Sequence, residues 1–281
     1  MNIFRSAVLR GAVKSGTLLV VVAGIAGCSA HPGNTPPAVP RSASDRPDDA
    51  EGSQIHFMYV VPSDGTDRSL DTDGTLGTSI AALERWLATE SGGYRLRIDR
   101  FQGAVDITFH RLPRTAAELA SFGVFIRDEL EDDLIAAGFN SPNKIYAVYY
   151  DGLATTACGG AFWPPVLPGN VVAQYLLGEP PKAPPCAANP FAPAATKPGY
   201  WEFGMLHEIF HGLGAVAECA PYHTRAGHAS DDPRDLMYAG DEPWVPSILD
   251  INDDDYFGHS RSGCLDLDES PFLSRDVSGS P

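Results

Sequence analysis

Apolar residues fall into two rhythms along the chain. Gln54 to Val61 (QIHFMYVV) is β-branched and aromatic and stops at Pro62, which predicts a strand. Leu76 to Thr89 carries Ile80, Leu83, Trp86 and Leu87 at helical spacing and ends at Gly92-Gly93. Tyr94 to Asp99 and Val105 to Leu112 alternate, and are expected to pair as neighbouring strands. A helix is expected over Thr115 to Ala137, with Thr115 and Glu118 as a capping box and Gly138 as its stop. Lys144 to Tyr150 reads as another strand. Residues 152 to 199 are rich in Pro and Gly and are expected to be a long loop, a candidate cleft wall. Helical spacing returns at Tyr200, where Trp201, Met205, Leu206, Ile209, Phe210 and Leu213 form one stripe. From about 218 onward the chain is irregular and acidic. Strands mixed with helices predict an α+β fold: a mixed sheet, one prominent helix and an irregular C-terminal part.

Composition narrows the function classes. The 281 residues hold 36 acids and 20 bases, a net charge of −16, which disfavours nucleic-acid partners. The five cysteines are an odd number. Arg5, Arg10 and Lys14 precede the short apolar run Thr17 to Ala26, too short for a membrane span and typical of an export signal. The run ends Ile25-Ala26-Gly27-Cys28, which resembles the bacterial lipobox. That resemblance implies cleavage after residue 27 and a lipid on Cys28, holding the chain at the outer face of a bacterial membrane. Residues 28 to 53 read as a disordered tether, and residues 54 to 281 as the folded domain. Four cysteines then remain, Cys158, Cys186, Cys219 and Cys264, an even set that outside the cell suggests two disulfides. Three pairings are open; Cys158–Cys186 and Cys219–Cys264 are preferred, the first stapling the Pro-rich loop and the second tying the end of the last helix to the C-terminal region.

The chemistry concentrates at residues 207 to 214, His-Glu-Ile-Phe-His-Gly-Leu-Gly. On a helix His207 and His211 lie one turn apart on one face and can reach a single Zn²⁺. Glu208 is then placed to take a proton from an attacking water. In a chain with 8 histidines this pattern arises by chance on the order of 0.01 times. A catalytic zinc keeps three protein ligands. HExxHxxG followed by Asp235-Leu236-Met237-Tyr238 resembles the metzincin zinc metallopeptidases, in which the glycine turns the chain, a third His follows and a Met-turn underlies the metal. Gly214 matches the glycine and Met237 the Met-turn, but Ala217 stands at the standard third-ligand position. The stretch from Ala220-Pro221 to Gly227-His228 and the Asp-x-x-Met-Tyr-like residues after it look like a group of exported bacterial metallopeptidase-like proteins. That resemblance implies His228 as third ligand; His223 is the alternative, then a carboxylate from Asp231, Asp232 or Asp235.

The resemblance implies a catalytic domain split near Gly214 into parts 54–214 and 215–281, hydrolysing peptide or protein substrates as a monomer. Tyr222 and Tyr238 are candidate oxyanion donors, and Asp235 a candidate partner of a ligating imidazole, each with an ordinary structural role as alternative. Glu202 is read as a helix-start charge. Asp250-Ile251-Asn252-Asp253-Asp254 and Asp71-Thr72-Asp73-Gly74 have some of the oxygen spacing of Ca²⁺ loops, with simple turns as alternative. His56, His110 and His259 are read as structural. The rival function is a non-catalytic metal-binding or envelope-interaction lipoprotein, and a third a solute-binding lipoprotein of two similar lobes.

Overall fold

A computed structural model describes residues 41–181 and 183–275. The expected signal, Cys28 and the tether up to residue 40 lie outside the described residues. In chain order the elements are β1 (Gln54–Val61), α1 (Thr75–Glu90), β2 (Tyr94–Leu96), β3 (Arg100–Phe101), β4 (Ala104–Val105), β5 (Ile107–Arg111) and α2 (Ala116–Ala120). There follow α3 (Ile126–Ala136), β6 (Lys144–Tyr150), β7 (Gly159–Trp163), β8 (Leu167–Tyr175), α4 (Tyr200–Leu213), β9 (His223–Thr224), β10 (His228–Ala229) and β11 (Leu273–Arg275).

The main sheet has the order β5-β1-β6-β8-β7, parallel except for β7, which runs antiparallel at the edge. Every residue of β1 and β6 is buried. That is why their sequences read as unbroken apolar runs: side chains alternate between two covered faces. Phe57, Tyr59, Ala147, Tyr149 and Val172 point into the core shared with α1 and α4, whereas Met58, Val60, Tyr146, Val148 and Val171 meet Leu119, Ile126, Leu130 and Leu134 of α2 and α3. Helices on both faces of a mostly parallel sheet make an α/β arrangement in place of the α+β expected, while the mixed sheet is present.

Four local expectations are corrected. β5 pairs with β1, and β2 with β11 near the C-terminus, while the two expected partners meet only at their ends, through the β3–β4 hairpin and the Asp106 amide on the Asp99 carbonyl. The 115–137 helix is broken around Phe122–Phe125, where Gly123 takes a φ of 60°; its capping box is present. Residues 152–199 contain β7 and β8, so this stretch supplies two strands of the sheet. Residues 41–53 are held against the domain: Arg41 pairs with Asp67 and Asp71, Arg46 with Asp106, and Asp45 and Asp48 with Lys144. The folded unit therefore reaches back at least to Arg41.

The C-terminal part has little regular structure, as its sequence suggested. Disulfides join Cys158 to Cys186 and Cys219 to Cys264, with Cα separations of 5.6 and 5.7 Å. Because β11 returns to β2, the chain after Gly214 is also stitched onto the part before it. Among the described residues no helix is long and apolar enough to cross a membrane.

Glu202 does more than set a charge at the start of α4. Its buried carboxylate accepts from Ser79 Oγ of α1 at 2.5 Å, and from the amides of Ala192 at 3.1 Å and Gly199 at 2.8 Å. Replacing Glu202 by Ala strands two buried donors and one half-buried one and is expected to cost about 3 kcal/mol in urea unfolding. Glu202→Gln should cost less, and a loss below about 1 kcal/mol for the alanine variant would contradict this role.

Candidate active site

Helix α4 carries two opposed demands. Met205, Leu206, Ile209 and Phe210 are fully buried against the sheet and α1. His207, Glu208 and His211 face the other way, onto the floor of a cleft of about 800 Å³. Its walls include Trp163, Val166 and Leu167 from the β7–β8 hairpin, and Tyr200, Tyr238 and Trp244. The cleft has the size and mainly apolar walls of a ligand site.

Helix α4 ends at Gly214, whose φ of 89° needs a residue without a Cβ. The chain then returns through β9 and β10, and this short hairpin delivers His228 above α4. The Nε2 atom of His211 lies 3.0 Å from that of His207 and 3.1 Å from that of His228. His223, the alternative, is drawn elsewhere: its Nδ1–H donates to the Val216 carbonyl at 2.8 Å and its ring stacks on Trp163. It lines the cleft but is not among the converging imidazoles. No aspartate joins them either. Asp232 pairs with Arg234, Asp231 belongs to a separate acidic cluster, and Asp235 is buried among amides.

Hydrogen bonds fix the tautomer of two of the imidazoles. His207 Nδ1–H donates to the Leu236 carbonyl at 2.7 Å, and His228 Nδ1–H to the Arg225 carbonyl at 3.2 Å. Each Nε2 then presents a lone pair to the cluster. Burial pushes His207 down to about 3, with the neighbouring His228 adding to the effect. Burial likewise depresses His211, well below its usual value, and His228. With His207 and His228 each protonated on Nδ1, at most one Nε2–H, that of His211, lies among the three converging nitrogens, so lone pairs are left over for a cation. Zinc–nitrogen bonds of about 2.0–2.1 Å in a tetrahedron set ligand nitrogens about 3.3 Å apart, so the donor set fits that ion in number, type and spacing. The buried Nδ1 of His211 has no partner, so the cluster is not a self-satisfied polar network.

Glu208 lies beside this cluster. Burial pushes its carboxyl up to about 8. A Cβ added at Gly159 of β7 would come within 2.2 Å of Glu208 Oε1, so the glycine makes the room that the carboxyl occupies. Below the imidazoles runs the segment around Met237, whose side chain is fully buried. Asp235 accepts from the Met237 amide at 2.6 Å, the Ile251 amide at 2.9 Å and Tyr256 Oη at 3.1 Å. It therefore shapes the turn that carries the Leu236 carbonyl and makes no direct bond to an imidazole. Tyr238 lines the cleft, while Tyr222 is exposed and outside the lining.

Three contributors escaped the sequence reading. Gly159 sits in a stretch read as loop, the Leu236 carbonyl is backbone and has no sequence signal, and Trp244, whose ring lies 5.5 Å from that of His207, belongs to no periodic pattern. His56, read as structural, sits in a buried network. Its Nδ1 meets Asp99 at 2.6 Å and its Nε2 meets Thr108 at 3.0 Å. Lys144 and Arg46 neutralise the surrounding acids. The loop at Asp71–Gly74 is likewise spoken for, Asp71 by Arg41 and Asp73 by the Thr75 amide.

No family model and no curated protein matches the chain. Among solved structures, wild-type OgpA from Akkermansia muciniphila overlaps 76% of this chain and 62% of its own, at 17% identity and a TM-score of 0.39. A catalytically inactive OgpA in complex with an O-glycopeptide (glycodrosocin) substrate overlaps 64% of this chain and 50% of its own, at 17% identity and a TM-score of 0.32. The chain thus spans between half and two thirds of the OgpA chains it overlaps, and likenesses this remote carry no argument about its chemistry.

Proposed function

We propose that the chain is a zinc-dependent endopeptidase with a metzincin-like site, exported and tethered to the outer face of a bacterial membrane through lipid on Cys28. The observation that carries this reading is the convergence of three neutral imidazoles, His207, His211 and His228, beside the buried carboxyl of Glu208 on the floor of an open cleft. His207, His211 and His228 would hold Zn²⁺, which when bound polarises a scissile carbonyl and acidifies water.

The chain's own groups supply the rest. Glu208 takes a proton from water in the cleft as the water oxygen attacks the carbonyl carbon, and returns it to the departing amine nitrogen. A carboxyl pushed up by burial suits both halves of that transfer near neutral pH. The hydroxyl of Tyr238 accepts from the Glu242 amide at 3.2 Å, so its own proton is free to meet an oxyanion. Strand β7 is the edge of the sheet and lines the cleft through Gly159, Gly160 and Ala161. An extended peptide can add to such an edge through backbone hydrogen bonds, which supports a peptide substrate.

Digestion of a broad peptide library tests this. Glu208→Gln is expected to keep one zinc per chain by elemental analysis and to lose hydrolysis by at least about 10²-fold. Hydrolysis retained in that variant sinks the mechanism, and none in wild type favours the non-catalytic metal-binding lipoprotein. Gly159→Ala should also keep zinc but lower kcat by roughly 10-fold or more, because its methyl group displaces Glu208. Unchanged kcat would show that the room at Gly159 is not needed.

A further inference from the structure

Asp231, Asp254 and Asp255 come from two loops of the C-terminal part, and one carboxylate oxygen from each lies within 4.8 Å of the others. Both oxygens of Asp231, Oδ1 of Asp254 and Oδ2 of Asp255 are shut off from solvent, and apart from the adjoining Asp231 and Asp232 amides no donor meets them. Asp255 is fully buried, and its other oxygen accepts from the Tyr222 amide at 2.9 Å. No ion pair reaches any of the three among the described residues. Three carboxylates this close, Asp255 buried and Asp231 and Asp254 half-buried, repel one another, and burial with that repulsion raises Asp231 and Asp255 above the ordinary range.

The neighbouring acids behave differently. Asp250 accepts from the amides of Tyr256 and Phe257 on Oδ2, each at 2.7 Å, and from the Asp255 amide on Oδ1 at 3.4 Å, so both its oxygens shape the turn. The first-turn spacing Asp250-Asn252-Asp254 is thus not the ligand set. Left-handed backbone at Asn252 and Asp253 instead turns the chain so that Asp254 and Asp255 face Asp231 across the gap between the loops.

We propose that Asp231, Asp254 and Asp255 form a calcium site. An all-oxygen, all-carboxylate donor set with unpaired lone pairs suits a hard cation, and neither nitrogen nor sulfur is offered that would favour zinc or copper. The site lies three residues beyond His228, and the Tyr222 amide bonded to Asp255 adjoins β9. Bound calcium would tie the hairpin that delivers the third imidazole to the 254–255 loop. The site stands on its own carboxylates and does not require that the imidazoles bind zinc.

Calorimetric titration of the full chain with CaCl2 tests the site, after passage over chelating resin and addition of one equivalent of Zn²⁺. Wild type is expected to bind one Ca²⁺ per chain and to gain about 5 °C in Tm at saturation. Asp231→Asn and Asp254→Asn should each weaken binding at least 10-fold and abolish that gain. In calcium-free buffer both variants should melt no lower than wild type, because each removes one of three repelling charges, an outcome that a merely structural carboxylate does not give. No binding by wild type up to about 10 mM CaCl2, or undiminished binding by both variants, overturns the proposal. Should a variant not fold, calcium-soaked wild-type crystals decide: an ion among the three carboxylates supports the site, and an ion only elsewhere overturns it.

Discussion

One constraint organises the molecule: α4 must be buried on its apolar side and still present His207, Glu208 and His211 to a cavity. The sheet solves the first half. The parallel strands β1, β6 and β8 give α4 and α1 a wide apolar face, and Met205, Leu206, Ile209 and Phe210 lie fully buried there. Burying a side chain of this size contributes about 1.5–3 kcal/mol, so the stripe readily fixes the helix even though its other face carries groups that would rather be in water. The fixed helix then sets the orientation of both imidazoles.

The second half depends on chain that has no regular structure of its own. The irregular segment after Gly214 brings His228 to α4 through the β9–β10 hairpin and brings the Leu236 carbonyl under His207. Loops of this kind need external ties. The Cys219–Cys264 disulfide closes a 45-residue separation, worth about 4 kcal/mol by loop-closure entropy. Asp235 and Asp250 gather backbone amides into tight turns, and β11 pins the chain end to β2. The acidic character of this region therefore has local structural uses: turn formation and a cluster fit for a cation.

The parts of this arrangement legible in the sequence were those that depend on local periodicity or on a rare spacing. β1, β6, α1 and α4 show their own patterns because burial on two faces or one stripe leaves a direct imprint. His207, Glu208 and His211 stand on one helix, so their geometry follows from spacing alone. His228 came from resemblance, since a residue delivered by a loop has no periodic signature. β7 and β8 were hidden by the glycines and prolines around them: Gly159 is there to admit Glu208, and that requirement makes a strand look like a loop. The strand order was illegible too, because parallel pairing joins segments far apart in sequence. The acidic spacing at 250–254 suggested a cation loop, yet the carboxylates that meet come from a different combination, which only the fold defines.

The central claim is that three imidazoles form one zinc centre on the cleft floor. Diffraction from zinc-loaded crystals, with data on both sides of the zinc absorption edge, tests it directly. The account predicts one anomalous peak bonded to Nε2 of His207, His211 and His228. A peak completed by His223 in place of His228, or no peak at α4, would contradict it.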